Sequence, residues 1–300
     1  MANDLHPLLN YQFQVAIEQI VSEHRGKRWK TREFRDMNEF SSHPSALLSD
    51  GSYSIFVKFS KDANGLEQFE SEMAGLRLLS ELSGILIPTL IGNLPMGGGV
   101  IMILEGVQAI DRTSQQWRQI GRTLAQIHRN KGRQFGLDSH NYFGPLYQDN
   151  GSLPDWPMFY AERRLWPRFI GAINSGNMPM DVIRQVEKLI LRIPKLCDRL
   201  AVPTLLHGDA HQNNFISTEM GAVVIDPAVY YGHPEMDLAY VDYFQPVPDD
   251  VFNGYQEESS IDPGFSERRE LWRVYGYLAV VEVEGAAHLP KLINAIRKYL

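Results

Sequence analysis

The sequence predicts an α+β fold of two lobes, a small β-rich lobe over residues 1–105 and a larger helical lobe over 106–300. Three observations predict it. Ser54-Ile55-Phe56-Val57-Lys58-Phe59 alternates in β-branched and aromatic types, as a strand does. Residues 87–94 and 99–105 read as two further strands, joined at a Gly97-Gly98-Gly99 turn. From residue 113 onward the apolar residues recur at helical spacing over most of the chain.

Composition narrows the classes. The 300 residues are 44% hydrophobic and 22% charged, an ordinary globular balance long enough to bury a sizeable core. A net charge of −7 argues against nucleic acid or an anionic membrane as partner, because both reward clustered Lys and Arg. No apolar run approaches membrane-spanning length, and Met1-Ala2-Asn3-Asp4-Leu5-His6 shows no basic start or apolar h-region of a signal peptide. Cys197 is the single cysteine, so no intramolecular disulfide forms. A reducing, cytoplasmic compartment is expected, with Cys197 a small core residue of a helix. No repeat marks an oligomeric or solenoid design, and a monomer is expected.

Taken in order, Leu8, Leu9, Phe13, Ala16, Ile17, Ile20 and Val21 predict a helix over 7–23 with one buried face. Residues 28–60 read as β-structure with a hairpin turn at Asp50-Gly51. Lys58 interrupts the apolar strand, either as an edge charge or as a cation facing an anionic partner in a cleft. Leu66, Phe69, Met73, Leu76, Leu79 and Leu82 predict a helix over 65–83, with Glu72 beside the stripe. A Lys on a strand and a Glu on the following helix form the ion pair that positions ATP phosphates in kinase-like folds. At Ile103-Leu104-Glu105-Gly106-Val107 the pattern changes from strand to helix, so the backbone near Glu105 and Val107 is placed to meet an adenine edge.

Thr113-Ser114 cap the next helix, which carries Ile120, Leu124, Ile127 and His128, the last read as a packed or capping histidine. Residues 132–157 read as loop. Trp156 to Phe169 is an aromatic, arginine-bearing helix, core by its spacing, with Trp156 and Tyr160 as candidates to floor a sugar pocket. Helices follow at 179–200, 234–244, 248–258, 267–285 and 288–299.

The chemistry sits in Leu205-Leu206-His207-Gly208-Asp209-Ala210-His211-Gln212-Asn213-Asn214 and the Val223-Val224-Ile225-Asp226-Pro227 that follows. Asp209, Asn214 and Asp226 lie on two short segments framed by apolar runs. Singly, each is an ordinary turn former. Together they are what phosphoryl transfer needs: one carboxylate for the attacking hydroxyl, and an amide oxygen with a second carboxylate for magnesium. Asp209 is the expected base, Asn214 and Asp226 the expected metal ligands, and ATP and Mg2+ the expected cofactors.

His207-Gly208-Asp209 with Asn214, then Ile225-Asp226, resembles the aminoglycoside and choline kinase-like superfamily. The string Asp226-Pro227-Ala228-Val229-Tyr230-Tyr231-Gly232, continuing through Asp237, closely resembles the fructosamine kinase (ketosamine kinase) family. The resemblance runs from about residue 30 to the C-terminus. It includes Phe56-Val57-Lys58, Leu124 to His128, Phe135-Gly136, Asp155-Trp156 and Ile261-Asp262-Pro263-Gly264. It implies a bilobed protein kinase-like fold and ATP-dependent phosphorylation of a ketosamine, free or protein-bound, at its sugar O3. The product sheds the amine, so the activity amounts to deglycation. Carried over, Lys58 and Glu72 position the phosphates, while His207 and Asp237 brace the catalytic loop. The rivals are an aminoglycoside- or choline-type kinase and a nucleotide-binding pseudokinase.

Two departures stand out. Ala210-His211-Gln212-Asn213 replaces the family's Leu-Trp-Ser-Gly beside the base, which places His211 at the acceptor. The first hairpin, Arg35 to Pro44, lacks the usual glycines and offers serines and backbone amides to the phosphates instead.

Overall fold

The structure, a computed structural model, describes residues 6–197 and 200–300. The signal-peptide reading of the first five residues, and positions 198 and 199 of the helix expected over 179–200, lie outside the described residues.

A single turn, Pro7–Leu9, leads into α1 (Tyr11–Arg25). Five antiparallel strands follow: β1 (Glu33–Asp36), β2 (Ser45–Ser49), β3 (Ser54–Ser60), β4 (Leu90–Met96) and β5 (Gly99–Glu105), in the order β1-β2-β3-β5-β4. Helix α2 (Gly65–Ser83) connects β3 to β4. Strand periodicity sorts the side chains between two faces. Ile55, Val57 and Phe59 of β3, with Ile101 and Ile103 of β5, pack on Phe13, Ile17 and Val21 of α1. Val100, Met102 and Leu104 of β5 pack on Phe69 and Met73 of α2. Each such side chain stabilises by about 1.5–3 kcal/mol when fully buried. β3 is the central strand, so Lys58 is no edge charge: it falls on the α2 face. The β-structure expected over 28–60 is interrupted by a 3-10 turn, Asn38–Phe40, and the Ser41–Pro44 loop.

The larger lobe begins with α3 (Ser114–His128), started by a capping box in which Thr113 Oγ1 accepts from Gln115 N and Gln116 Oε1 accepts from Thr113 N. A hairpin of β6 (Asn141–Phe143) and β7 (Leu146–Gln148) stands where a loop is expected. One continuous helix then runs as α4 (Trp156–Phe159), a π turn (Tyr160–Leu165) and α5 (Trp166–Asn174). The π turn has a cause in the sequence. Pro167 has no N–H for the carbonyl of Arg163, and Arg164 Nη1 donates to that carbonyl instead, at 3.0 Å. There follow α6 (Met180–Leu196), β8 (Thr204–Leu206), β9 (Phe215–Thr218), β10 (Gly221–Val224), β11 (Tyr230–Gly232), α7 (Glu235–Tyr240), α8 (Asp250–Gln256), α9 (Phe265–Glu284) and α10 (Leu289–Arg297). The four short strands make two ribbons, β8 with β11 and β9 with β10.

The far end of α2 is built into this lobe. Leu79 and Ile85 belong to its core, Ser83 O accepts from Gln126 Nε2 at 2.6 Å, and Leu86 O accepts from Val224 N at 2.9 Å. Midway, Gly75 lies so close to the loop after Asp226 that a Cβ there would sit 3.1 Å from Val229 Cγ2. Among the described residues no helix is long and apolar enough to cross a membrane.

Candidate active site

A cleft of about 1200 Å³ opens between the α2 face of the sheet and the residues that follow β8, with the start of β9 and the loop over 225–228. Lys58, Glu72, Glu105, Val107, Asp209, His211, Asn214 and Asp226 all line it. The sheet and α2 supply the first pair: Lys58 Nζ donates to Glu72 Oε1 at 3.0 Å and makes a short ion pair with Asp226. One ammonium therefore stands between two carboxylates. Burial disfavours its charge, but Asp226 and Glu72 outweigh this and hold Lys58 above its ordinary range. Burial raises Glu72, while at Asp226 the opposing attraction of Lys58 prevails and lowers the carboxyl. Asp226 is the one non-glycine at positive φ among the described residues, at 51°, a conformation that costs on the order of 1 kcal/mol and that Asp tolerates.

Across the cleft, β8 delivers His207-Gly208-Asp209. Two buried groups hold this turn. Asp237, at the start of α7, accepts from His207 N at 2.7 Å and from Gly208 N at 2.9 Å. His128 Nε2 completes the carboxylate at 3.1 Å, and His128 Nδ1 meets Tyr255 OH at 2.9 Å. His207 reaches the other way: Nδ1 accepts from Asp209 N at 3.2 Å, so Nε2 carries the proton and donates to Ile225 O at 3.0 Å. Burial lowers the His207 pKa and keeps the ring neutral, which this pair of bonds requires. Gly208 is at φ 85°, and a Cβ there would lie 2.0 Å from Ala228 O, so no other residue fits.

Asn214 Nδ2 donates to Asp209 O at 2.8 Å, which orients the amide and leaves Oδ1 as its uncommitted atom. Ile225 N donates to Asn214 O at 3.0 Å, so the two segments bearing Asn214 and Asp226 are bonded directly. Burial raises Asp209, against the pull of His211 and His207. His211 Nε2 is 3.8 Å from Asp209 Oδ2, and its ring meets Phe244 edge-on at 4.9 Å.

At the connector, Glu105 N donates to Thr89 O and Gly106 N to Ser54 O, at 2.9 and 2.8 Å. Among the described residues Val107 N has no such bond. His207 and Asp237 do not line the cleft and are buried behind it. Trp156 and Tyr160 do not belong to the cleft. Both are fully buried, Trp156 stacked on Phe159 and Tyr160, with Tyr160 OH donating to Leu271 O at 2.6 Å. As core residues they have no surface for a sugar. The aromatic wall of the cleft comes instead from Tyr240, Tyr243 and Phe244, and the tip of the β6–β7 hairpin faces the same space. His43 also lines it, its pKa lowered by burial and by Lys58. The sequence carries no signal for these positions, since each is set by tertiary placement.

Residues 13–300 match the fructosamine kinase family. The chain belongs to that family. A fructosamine kinase relative from Synechocystis, named a probable ketoamine kinase, is 30% identical over 95% of this chain and 96% of its own length. Ketosamine-3-kinase of Mus musculus is 27% identical over 81% of this chain and 87% of its own. The solved structure of a chain from Thermobifida fusca, provisionally named a fructosamine-3-kinase, superposes with a TM-score of 0.80 at 30% identity, covering 94% of this chain and 98% of that one. The fructosamine kinase fold is thus present over nearly the whole chain, an α+β kinase-like architecture.

Proposed function

We propose that the protein transfers the γ-phosphoryl group of ATP to a sugar hydroxyl of a ketosamine, at O3, and so initiates release of the amine. The observation that supports this most is the single hydrogen-bonded frame around Asp209, Asn214 and Asp226, facing the Lys58–Glu72 pair in a chain of this family.

In this reading the sheet and α2, up to Glu105, form the nucleotide lobe and the rest the acceptor lobe. Val107 N meets the adenine edge. Lys58, held by Glu72, pairs with the phosphates. Asp209 orients the acceptor hydroxyl in line with the γ-phosphorus. The new O–P bond forms as the bond to ADP breaks, and the hydroxyl proton passes to the Asp209 carboxylate. Positioning and fixed charge supply most of the acceleration. The donor set fits magnesium: among the described residues Asn214 Oδ1 has no protein donor, and Asp226 is an adjacent carboxylate, both hard oxygen ligands. When bound there, magnesium screens the phosphate charge.

Asp209 must be ionised to act, and burial raises its pKa above the usual carboxylate value of 3.8. A raised base loses function as pH falls through its own pKa, so the acid limb of kcat/KM lies above the ordinary carboxylate range. A pH–rate profile checks this, and a limb at or below that range contradicts the burial argument.

Magnesium-dependent ADP release tests the function, with ribulose- and fructose-modified lysine, an aminoglycoside, choline and no acceptor. Turnover confined to the ketosamines is expected. Turnover with choline or the aminoglycoside alone overturns the substrate, and tight ATP binding without turnover on any acceptor overturns the reading as a ketosamine kinase.

A further inference from the structure

Arg112 stands between the connector and α3, and nothing in the proposed mechanism uses it. Its guanidinium crosses to the segment that follows Asp209. Nη2 donates to Gln212 O at 2.9 Å and, over a short contact, to Phe215 O. Nε donates to Ser217 Oγ at 3.3 Å, and the guanidinium carbon lies 4.6 Å from the Trp117 ring centre. Beside it, Ile110 N donates to Ser217 O at 2.9 Å. Among the described residues no carboxylate lies within ion-pair distance of this half-buried cation. Gln212–Asn214 is a single 3-10 turn closed by Phe215 N donating to Gln212 O, so Arg112 is a second donor to that carbonyl. Arg112 supplies donors on both sides of Asn214.

We propose that Arg112 is the positioning residue for Asn214, fixing the turn that aims the Asn214 amide oxygen at a divalent cation bound with the nucleotide. The inference rests on the reading of Asn214 as a metal ligand. A plain loop clamp would stabilise the fold and nothing more. A positioning residue also sets metal affinity, because partners of a metal ligand are worth about 10- to 100-fold in that affinity. Arg112 suits the role for a geometric reason: its rigid planar fork donates from two separate nitrogens, Nη2 to the two carbonyls and Nε to the hydroxyl, whereas an ammonium offers all its donors from one point.

The experiment titrates Mn2+ into the protein–ATP complex without acceptor, read by electron paramagnetic resonance. Metal-free ATP affinity is measured in parallel by calorimetry in a chelator. Arg112→Lys is expected to weaken Mn2+ binding about tenfold and to leave metal-free ATP affinity within about twofold. Ser217→Ala, which removes one acceptor and keeps the arginine, shifts Mn2+ binding the same way by about threefold. Combined with Asn214→Ala, Arg112→Lys adds less than about twofold to the loss from Asn214→Ala alone, since the arginine acts through the asparagine. Normal Mn2+ affinity in Arg112→Lys, with Asn214→Ala impaired, overturns the inference and keeps the metal reading. Normal affinity in Asn214→Ala overturns the metal reading itself. Fully additive losses, or lost metal-free ATP binding in Arg112→Lys, show that Arg112 acts by another route and also overturn it.

Discussion

Replacing Asp209 by Asn lowers turnover by about 10²- to 10⁴-fold and leaves magnesium–ATP binding within about twofold. The amide has the shape of the carboxylate, and the contacts that hold this residue in place are backbone ones: its N–H donates to His207 Nδ1 and its carbonyl accepts from Asn214 Nδ2. Both survive the change. The proposed metal ligands are other residues, as is the phosphate-pairing lysine, so nucleotide binding has no reason to fall. What disappears, in the proposed mechanism, is the acceptor for the hydroxyl proton. Because that proton leaves late in a dissociative transition state, part of the loss reflects orientation. Saturating kcat with calorimetric ATP affinity decides the matter, and wild-type turnover in the variant would remove Asp209 from the base role.

Asp237→Ala destabilises the protein by about 3–5 kcal/mol and takes most of the activity with it. Asp237 is fully buried and accepts from three donors: His207 N, Gly208 N and His128 Nε2. Alanine strands all three away from water. Asp237→Asn recovers about half of the loss: one oxygen remains for an amide, and His128 can change tautomer to accept from the new NH2. His207 N is then the donor left facing another donor. Urea unfolding gives the ranking wild type, Asn, Ala. Equal stabilities for the two variants would contradict this account, since the amide would then recover none of the hydrogen bonds of the carboxylate. With a typical domain stable by about 5–15 kcal/mol, the alanine variant loses a large share of its stability.

The residues that make the cleft were legible because their spacing is local. His207 to Asn214 form one tight turn, Asp226 ends a β-branched run, and Lys58 and Glu72 sit on strongly patterned elements. Such patterns report which face a side chain takes. They do not report which elements meet, and that is where expectation and structure part. Trp156 and Tyr160 carry the aromatic character of a sugar-binding floor, yet tertiary packing buries both between α4 and α9. The ribbons β8–β11 and β9–β10 are three or four residues long, too short to show periodicity, and the β6–β7 hairpin is equally brief. Its register depends on a buried amide network: Asn141 Nδ2 donates to Val229 O, and Gln148 Nε2 donates to Asn141 Oδ1, each at 2.8 Å. Arg112 has no pattern around it at all, since its partners lie about a hundred residues further on.

The anchoring of α2 bears on how output is controlled. A phosphotransferase whose glutamate helix can swing outward has an off position, because its lysine then loses its partner. Here that helix is fastened at its C-terminal end to α3 and β10, wedged at Gly75 against Val229, and met near its start by Tyr142 of the hairpin, beside Asn64 and Glu67. An outward swing would tear open the core of the other lobe at Leu79 and Ile85. The Lys58–Glu72 pair is therefore a permanent fixture of the fold. Such a catalyst stands always ready, and its throughput follows the arrival of its two substrates.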